Sequence, residues 1–416
     1  MKILYILGDY KPYMSANGVC SDNVIQKLLE EEHTVTALVK TAFEAPIFSK
    51  QGNLTVVRVK PRLALRLSQK SEALRNRSPL KSRFYSFLSK IINKPQMLFS
   101  IFRWPTVSPM TNRRFKKAAI KLHKENNFDA VISVYTPIES LLAGYELKKL
   151  YPDIKFYPYF LDSLSGGFGP RCFSKEKVIK RCLKTEKRVF QKAEKVVVMK
   201  SSKPHHEKYN PEFFDKIVFL DVPTFCKNNA CINIGQKKPE DSPIKFLYVG
   251  SISQAIRDPR GLIHALADVR EENITCEFVG RIDCLHLFEP LQNKLGEKLL
   301  FSGQLPHSEV AKKMSEADVL LNIGNKLSTM TPSKLFEYIS YGKPIISTYE
   351  TDDDPCIEYL KSYPLSLLLD CRSNEDFGEK ITSFLQRIKT ESVDIGTLAE
   401  LYRLNTPEAF TEIFKT

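Results

Sequence analysis

Short runs of β-branched and aromatic residues return twelve times along this chain, most of them separated by a longer stretch with helical spacing. They occupy 2–7, 34–39, 54–59, 130–134, 155–160 and 195–198, then 245–249, 275–279, 298–301, 319–323, 344–348 and 365–369. Consecutive parallel strands need a crossover between them, so this alternation predicts parallel sheets wrapped by helices. The runs form two groups, parted by KNNACINIGQKKPEDSP before the pattern restarts at Ile244. Two doubly wound α/β domains are expected, 1–205 and 244–395, with 206–243 as a linker region. The last segment, 396–416, reads as helical and is expected to pack back on the first domain. Open α/β sheets bind ligands beyond the carboxyl ends of their strands, so two Rossmann-like domains would face each other across a cleft that holds the site.

The loops after the strands carry the chemistry. The first, GDYKPYMSANGV from Gly8 to Val19, enters a helix near Cys20, and Asn17 and Gly18 stand where backbone N–H groups could meet an anion or a sugar hydroxyl. A plain strand-to-helix turn explains that loop equally well, and no G-x-G-x-x-G fingerprint is present. The second half opens FLYVGSISQAIRDPRGL, where a strand ends at Gly250 and Arg257 and Arg260 precede a helix. Guanidinium groups beside a glycine turn suit a diphosphate. Gly280-Arg281 follows the next strand, and TPSKLFEYISYGKPII starts a further helix at Thr331-Pro332-Ser333 that stops at Gly342. On that helix Leu335, Phe336 and Ile339 share one face while Glu337 points away, toward water or a cleft. Glu337 is either a solvated acid paired with Lys334 or an acceptor of hydrogen bonds from a ribose diol.

Composition narrows the partners. Of 62 Lys and Arg, sixteen lie between Pro61 and Lys124 with a single acid, Glu72, so this segment holds the whole excess behind the formal charge of +14. Its cations interleave with Phe84, Phe87, Leu88, Ile91, Ile92, Phe99, Ile101, Phe102 and Trp104. An anionic membrane surface fits that mixture better than a solvated helical insertion, and nucleic acid ranks last. The nine scattered cysteines lack a C-x-x-C pair, which argues for reduced thiols and against a zinc site. The apolar start is too short for a signal peptide, and no run reaches membrane-spanning length. The expected location is cytoplasmic, at the inner face of the membrane. Asp352-Asp353-Asp354 before Pro355 reads as a helix cap, and the pair His205-His206 as a surface loop.

The run VGSI…RDPRGL…FVGRI…LLFSGQLPHSEVAKKMSEADVLLNIG…TPSKLFEYISYGKPII resembles the donor domain of GT-B glycosyltransferases, particularly the family 4-like group 1 enzymes. KILYILGDYKPYMSANGVCSDNVIQKLLEEEHTVTAL is similar to their acceptor domain. The resemblance implies transfer of a sugar from a nucleotide-diphosphate donor to a hydroxyl of a glycan, one that is lipid-linked and bound for a surface polysaccharide. It implies retention of configuration, no cofactor and no metal. It also implies that Glu337 binds the ribose, that Ser333 and Lys334 lie by the diphosphate with Gly250 and Arg281 near, and that Arg257 or Arg260 neutralises the leaving group. Two positions depart from the pattern: Thr329 stands where many members carry a second acid, and Asp162, within FYPYFLDSLSGGFG, stands near where many have His. Asp162 becomes the candidate acceptor contact or base, beside Asn17 and Gly18. A catalytically silent partner subunit, or a sugar-nucleotide epimerase or hydrolase on the same fold, are the alternatives.

Overall fold

The computed structural model describes residues 1–414 apart from 13, 42–44, 61, 75–77, 168, 171, 227–241, 272 and 327–332. The chain divides into two compact units, 1–221 together with 407–416, and 222–406. All twelve predicted strands are present, and two more join them.

Unit 1 is built on an eight-stranded sheet: β1 (Lys2–Ile6), β2 (Thr34–Lys40), β3 (Phe48–Gln51), β4 (Leu54–Val59), β5 (Ala130–Tyr135), β6 (Lys155–Phe160), β7 (Val196–Met199) and β8 (Ile217–Leu220), in the order β3-β4-β2-β1-β5-β6-β7-β8. Every pairing is parallel except β3 with β4. β1 is central: Ile3, Leu4, Tyr5 and Ile6 are fully buried, as expected for a strand covered on both faces. The strand order reverses between β1 and its neighbours β2 and β5. The covering helices are α1 (Ala16–Glu30), α2 (Leu63–Leu74), α3 (Pro79–Arg103), α4 (Pro109–Asn126), α5 (Ile138–Leu150), α6 (Lys175–Lys192) and α7 (Lys203–Tyr209). Ser15, Ser108 and Ser174 cap α1, α4 and α6 with their hydroxyls, so three of these starts are written in the sequence.

Two expectations need revision. The segment read as a linker from 206 contains the end of α7 and the strand β8, and the boundary falls after Asp221. The basic insertion ends before α4, because Phe115 and Ala119 of α4 are fully buried in the core of unit 1 and make α4 the crossover from β4 to β5. What remains is the helix pair α2 and α3, stitched by reciprocal bonds in which each of the Ser71 and Ser82 hydroxyls donates to the other's carbonyl at 2.8 Å.

Unit 2 carries a six-stranded parallel sheet of β9 (Ile244–Val249), β10 (Ile274–Val279), β11 (Leu299–Gly303), β12 (Val319–Ile323), β13 (Ile345–Tyr349) and β14 (Ser366–Asp370), ordered β11-β10-β9-β12-β13-β14. Its helices are α8 (Arg260–Ala267), α9 (Glu289–Leu295), α10 (His307–Glu316), α11 (Ser333–Ser340), α12 (Pro355–Lys361), α13 (Phe377–Arg387) and α14 (Ile395–Leu401). The order reverses between β9 and β12, which places the topological switch point there. Asp354 caps α12 through Cys356 N–H, the role read for the acidic run.

The chain then returns to unit 1 as α15 (Pro407–Thr411), while α14 stays in unit 2. Phe410 is 1% exposed and its ring meets Tyr159 at 4.7 Å, and Thr411 Oγ1 donates to Glu31 Oε1 at the end of α1. Emptying a buried aromatic site costs about 3–5 kcal/mol. Phe410→Ala should therefore destabilise unit 1 by about that much. Trp104, the single tryptophan, lies in unit 1 and reports the change as an earlier fluorescence transition in urea.

Candidate active site

In unit 2 the predicted residues gather around the carboxyl ends of β9, β10 and β12. Gly250 (φ 151°) and Gly280 (φ 137°) end β9 and β10 in a region that disfavours side chains. A Cβ on Gly280 would fall 2.0 Å from the Gly250 carbonyl oxygen, so the two turns lie backbone to backbone with no side chain between. Arg257 is half-buried against this turn, its Nε donating to Asn325 Oδ1 at 2.8 Å and one Nη to the Ser251 carbonyl at 3.4 Å. Its guanidinium is thus aimed at the switch point by a side chain from the loop after β12. Arg281 is exposed just past β10, and its carbonyl accepts from Ile252 N–H.

Arg260 behaves otherwise than its sequence position suggests. It opens α8, is largely exposed, and makes a two-pronged pair with Asp258 at 2.7 and 3.0 Å. Lys326 reaches the same carboxylate at 3.2 Å and Glu350 at 3.2 Å. Hydrogen bonds from Arg260, then Lys326, hold the Asp258 carboxyl down to about 2. Asp258 thus engages two of the loop cations, and Arg257 is the guanidinium left against the glycine turn. Asp258 sits inside the motif RDPRGL; the acid between two arginines was the available signal for this pairing.

Glu337 departs from expectation in one respect. It is 6% exposed rather than facing water, in a helix where Leu335, Phe336 and Ile339 are fully buried. The pairing with Lys334 is real, at 2.6 Å from Nζ to Oε2. Burying a carboxylate costs several kcal/mol unless its lone pairs are filled, and Lys334 fills part of that need. The next residue explains how the carboxylate is held there. Tyr338 Oη accepts from Val249 N–H at 2.7 Å and donates to the Val249 carbonyl at 3.2 Å, which fixes α11 against the end of β9. Burial raises the Tyr338 phenol well above its ordinary value, and Tyr248, Glu337 and Arg257 all act on it, which locates these groups in one neighbourhood. Ser333 begins α11, its carbonyl held by Thr224 Oγ1 at 2.7 Å. Thr329, Thr331 and Pro332 lie outside the described residues.

In unit 1 the acceptor-side candidates meet beyond β1, β5 and β6. Asn17 Nδ2 donates to Asp162 Oδ2 at 3.0 Å and to Thr136 Oγ1 at 3.4 Å. Asp162 is exposed and Asn17 half-exposed, so the group is open to a ligand. Gly18 is different: the helix starts at Ala16, earlier than predicted, and Gly18 is buried in its first turn. A Cβ there would lie 2.8 Å from the Asp9 carbonyl oxygen, so glycine serves the chain's own close approach.

Behind Asp162 lies a buried network that the sequence hides. Glu186 on α6, fully buried, accepts from Ser165 N–H at 2.8 Å, from Ser165 Oγ at 2.7 Å and from Asn210 Nδ2 at 3.3 Å. Since the Ser165 hydroxyl donates to Glu186, it accepts from His205 Nε2, 2.7 Å away. His206 Nδ1 accepts from Asn210 Nδ2 at 3.0 Å. The histidines therefore do not lie on a surface loop: His206 is 1% exposed and both belong to α7. This network supports the loop that carries Asp162. No group of three or more metal-ligating side chains occurs among the described residues.

Residues 243–387 match the family model described as glycosyl transferases group 1. No curated protein sequence matches the chain. Solved structures of the same fold include the sucrose-phosphate synthase of Thermosynechococcus elongatus (14% identity, 100% of this chain and 98% of that one, TM-score 0.60). A lipopolysaccharide outer core galactosyltransferase is similar at 15% identity over 100% and 99%, TM-score 0.55. A UDP-N-acetylglucosamine 2-epimerase is similar at 11% identity over 94% and 88%, TM-score 0.52. The chain has the GT-B fold of these neighbours, and the match to the group 1 model lies within its second unit.

Burial lowers the His206 ring to about 4, so the folded state prefers it neutral. The unfolded ring takes a proton near 6.5, which means stability is full above that pH and falls as pH drops toward 4, by about 3 kcal/mol. Glu186, pushed up by burial, acts in the opposite sense. The difference between wild type and His206→Gln isolates the histidine. Its urea-measured stability gap at pH 7 should shrink by about 3 kcal/mol at pH 4.

Proposed function

We propose that the protein is a glycosyltransferase that moves a sugar from a nucleoside-diphosphate donor to a hydroxyl of a lipid-linked glycan in surface polysaccharide assembly. The observation that carries this reading is the set of groups at the β9/β12 switch point. Gly250 and Gly280 end β9 and β10 without side chains, Arg257 supplies fixed positive charge beside them, and the buried Glu337 carboxylate is the candidate acceptor for a ribose diol. In the reaction the bond from the sugar's anomeric carbon to the diphosphate oxygen breaks and a bond to the acceptor oxygen forms. Arg257, Lys334 and the start of α11 at Ser333 stabilise the charge that develops on the departing diphosphate, so no metal is required. Asp162, oriented by Asn17, contacts the acceptor hydroxyl and is the candidate to take its proton. Retention of configuration is part of this proposal.

The membrane surface is the proposed second partner. Leu80, Phe84, Phe87 and Ile91 recur at helical spacing along α3 and are 46–80% exposed, with Lys81, Arg83, Lys90 and Lys94 beside them. An exposed apolar stripe flanked by cations suits anionic lipid, with α3 lying in the interface. No helix among the described residues is long and apolar enough to cross a membrane. The reading places the protein at the cytoplasmic face.

An epimerase reading is favoured by two structural neighbours whose names include a UDP-sugar 2-epimerase activity. The two readings part on one assay: an epimerase or hydrolase consumes donor with no glycan acceptor present.

Thermal unfolding with a panel of nucleoside diphosphates and their sugars tests the donor site. A ligand at a hundred times its Kd stabilises the native state by about 2.7 kcal/mol. One nucleotide should raise the midpoint of wild type and lose this effect in Glu337→Ala; no effect of any nucleotide on a well-folded sample refutes the transferase. For the membrane, Phe84→Asp with Phe87→Asp should cut sedimentation with anionic phospholipid vesicles by about tenfold or more, given the transfer energy of two aromatic side chains. Unchanged sedimentation removes α3 from the interface.

A further inference from the structure

Unit 1 contains a cavity of about 530 Å³ that adjoins the acceptor-side group through Thr136 and extends beyond it. It opens beyond the carboxyl ends of β1, β2, β4 and β5, and its wall is completed by the turn from α3 into α4. Its lining is of two kinds. Lys40 stands across from Val59 in the β2–β4 register, so Lys40, Lys60 and Arg62 cluster at the ends of these two strands. Trp104, Pro105, Val107, Phe115 and Ile138 supply apolar lining.

Arg62 is engaged, one Nη donating to Asn93 Oδ1 at 3.4 Å. Lys40 and Lys60 have no acidic partner among the described residues; the contact at Lys60 is its backbone carbonyl, taken by Arg114. Of the two acids lining the space, Glu139 is buried and already accepts from Ser108 N–H at 2.6 Å, while Asp9 is exposed. Like charges left close together without a counter-ion repel one another, and an anion brought between them relieves that. The apolar lining also continues outward. Val107 is 47% exposed and Phe102, two residues before Trp104, is 78% exposed, so an apolar rim runs from the cavity to the end of α3.

We propose that this cavity binds the phosphate or diphosphate of an amphiphilic acceptor, with its hydrocarbon lying over Trp104, Pro105 and Val107. The inference rests on the reading of the acceptor as lipid-linked and deepens it: the carrier's phosphate, as well as the glycan, is gripped, and the grip belongs to unit 1. The cations hold the phosphoryl oxygens by charge-assisted hydrogen bonds, and the apolar wall separates a lipid phosphate from a free one.

The test uses farnesyl diphosphate, inorganic pyrophosphate and farnesol as probes, with calorimetric titration of the full chain. Farnesyl diphosphate should bind, and the double variant Lys40→Ala, Lys60→Ala should weaken it tenfold or more while its unfolding midpoint stays at the wild-type value. Val107→Asp should weaken farnesyl diphosphate and leave pyrophosphate unaffected. Pyrophosphate binding as tightly as farnesyl diphosphate would mean a free-phosphate site and overturn the amphiphile; farnesol binding as tightly would mean the cations are idle. Glu337→Ala separates this inference from the transferase reading. Farnesyl diphosphate that is displaced by the stabilising nucleotide, or lost in Glu337→Ala, occupies unit 2 and sinks the cavity. Nucleotide binding without farnesyl diphosphate binding refutes the cavity alone, and the reverse result refutes the donor site alone.

Discussion

One tyrosine hydroxyl determines how the central strand of unit 2 ends. The pairing of β12 with β9 runs only as far as Tyr248, which leaves the backbone N–H and carbonyl of Val249 without a strand on that side. Tyr338 supplies both partners at once, as acceptor and as donor. Buried backbone groups must be paired, and this pairing comes from a helix instead of a strand. The helix is thereby held where the sheet order reverses, and Glu337, adjacent to Tyr338, is carried into the same place. Gly250 follows Val249 directly, so the anchor, the carboxylate and the bare turn are set by one contact.

Periodicity made the architecture legible, because a strand covered on both faces must be a short apolar run whatever its neighbours are. The two strands that escaped notice are edge strands. β3 has the sequence FSKQ with Phe48 60% exposed, and its only partner is β4 across the turn at Gly52. β8 is apolar enough to be noticed, yet it lies beside a polar stretch that suggested a linker. Glycine and helix-start grammar likewise put Gly250 and Arg257 at one turn and Glu337 on a helix beside Lys334.

What could not be read was the choice of partner. Arg257 and Arg260 are equivalent in a string of letters, and only the folded chain brings Asn325 to one and Asp258 to the other. Gly18 looked like an opening for a ligand because its own neighbour, the Asp9 carbonyl, approaches through a turn that no spacing rule describes. The histidines were misplaced for a related reason: a polar side chain is buried when distant groups satisfy it, and here Ser165 and Asn210 do so. Sequence patterns report faces and turns, whereas pairings among charged and polar side chains are settled by tertiary structure.

The return of the chain to unit 1 at α15 has a consequence for synthesis. Tyr159 and the end of α1 await a helix that emerges only after the whole of unit 2 has been made. Chains elongate at about 5–20 residues per second, so roughly 185 intervening residues amount to some ten to forty seconds. For that interval the first unit has its sheet and its central strand but presents an uncovered apolar surface beside β6. A ribosome-bound chain therefore keeps this adhesive surface while the second unit is being built, and residues 407–411 act as the late closure that ends the exposure.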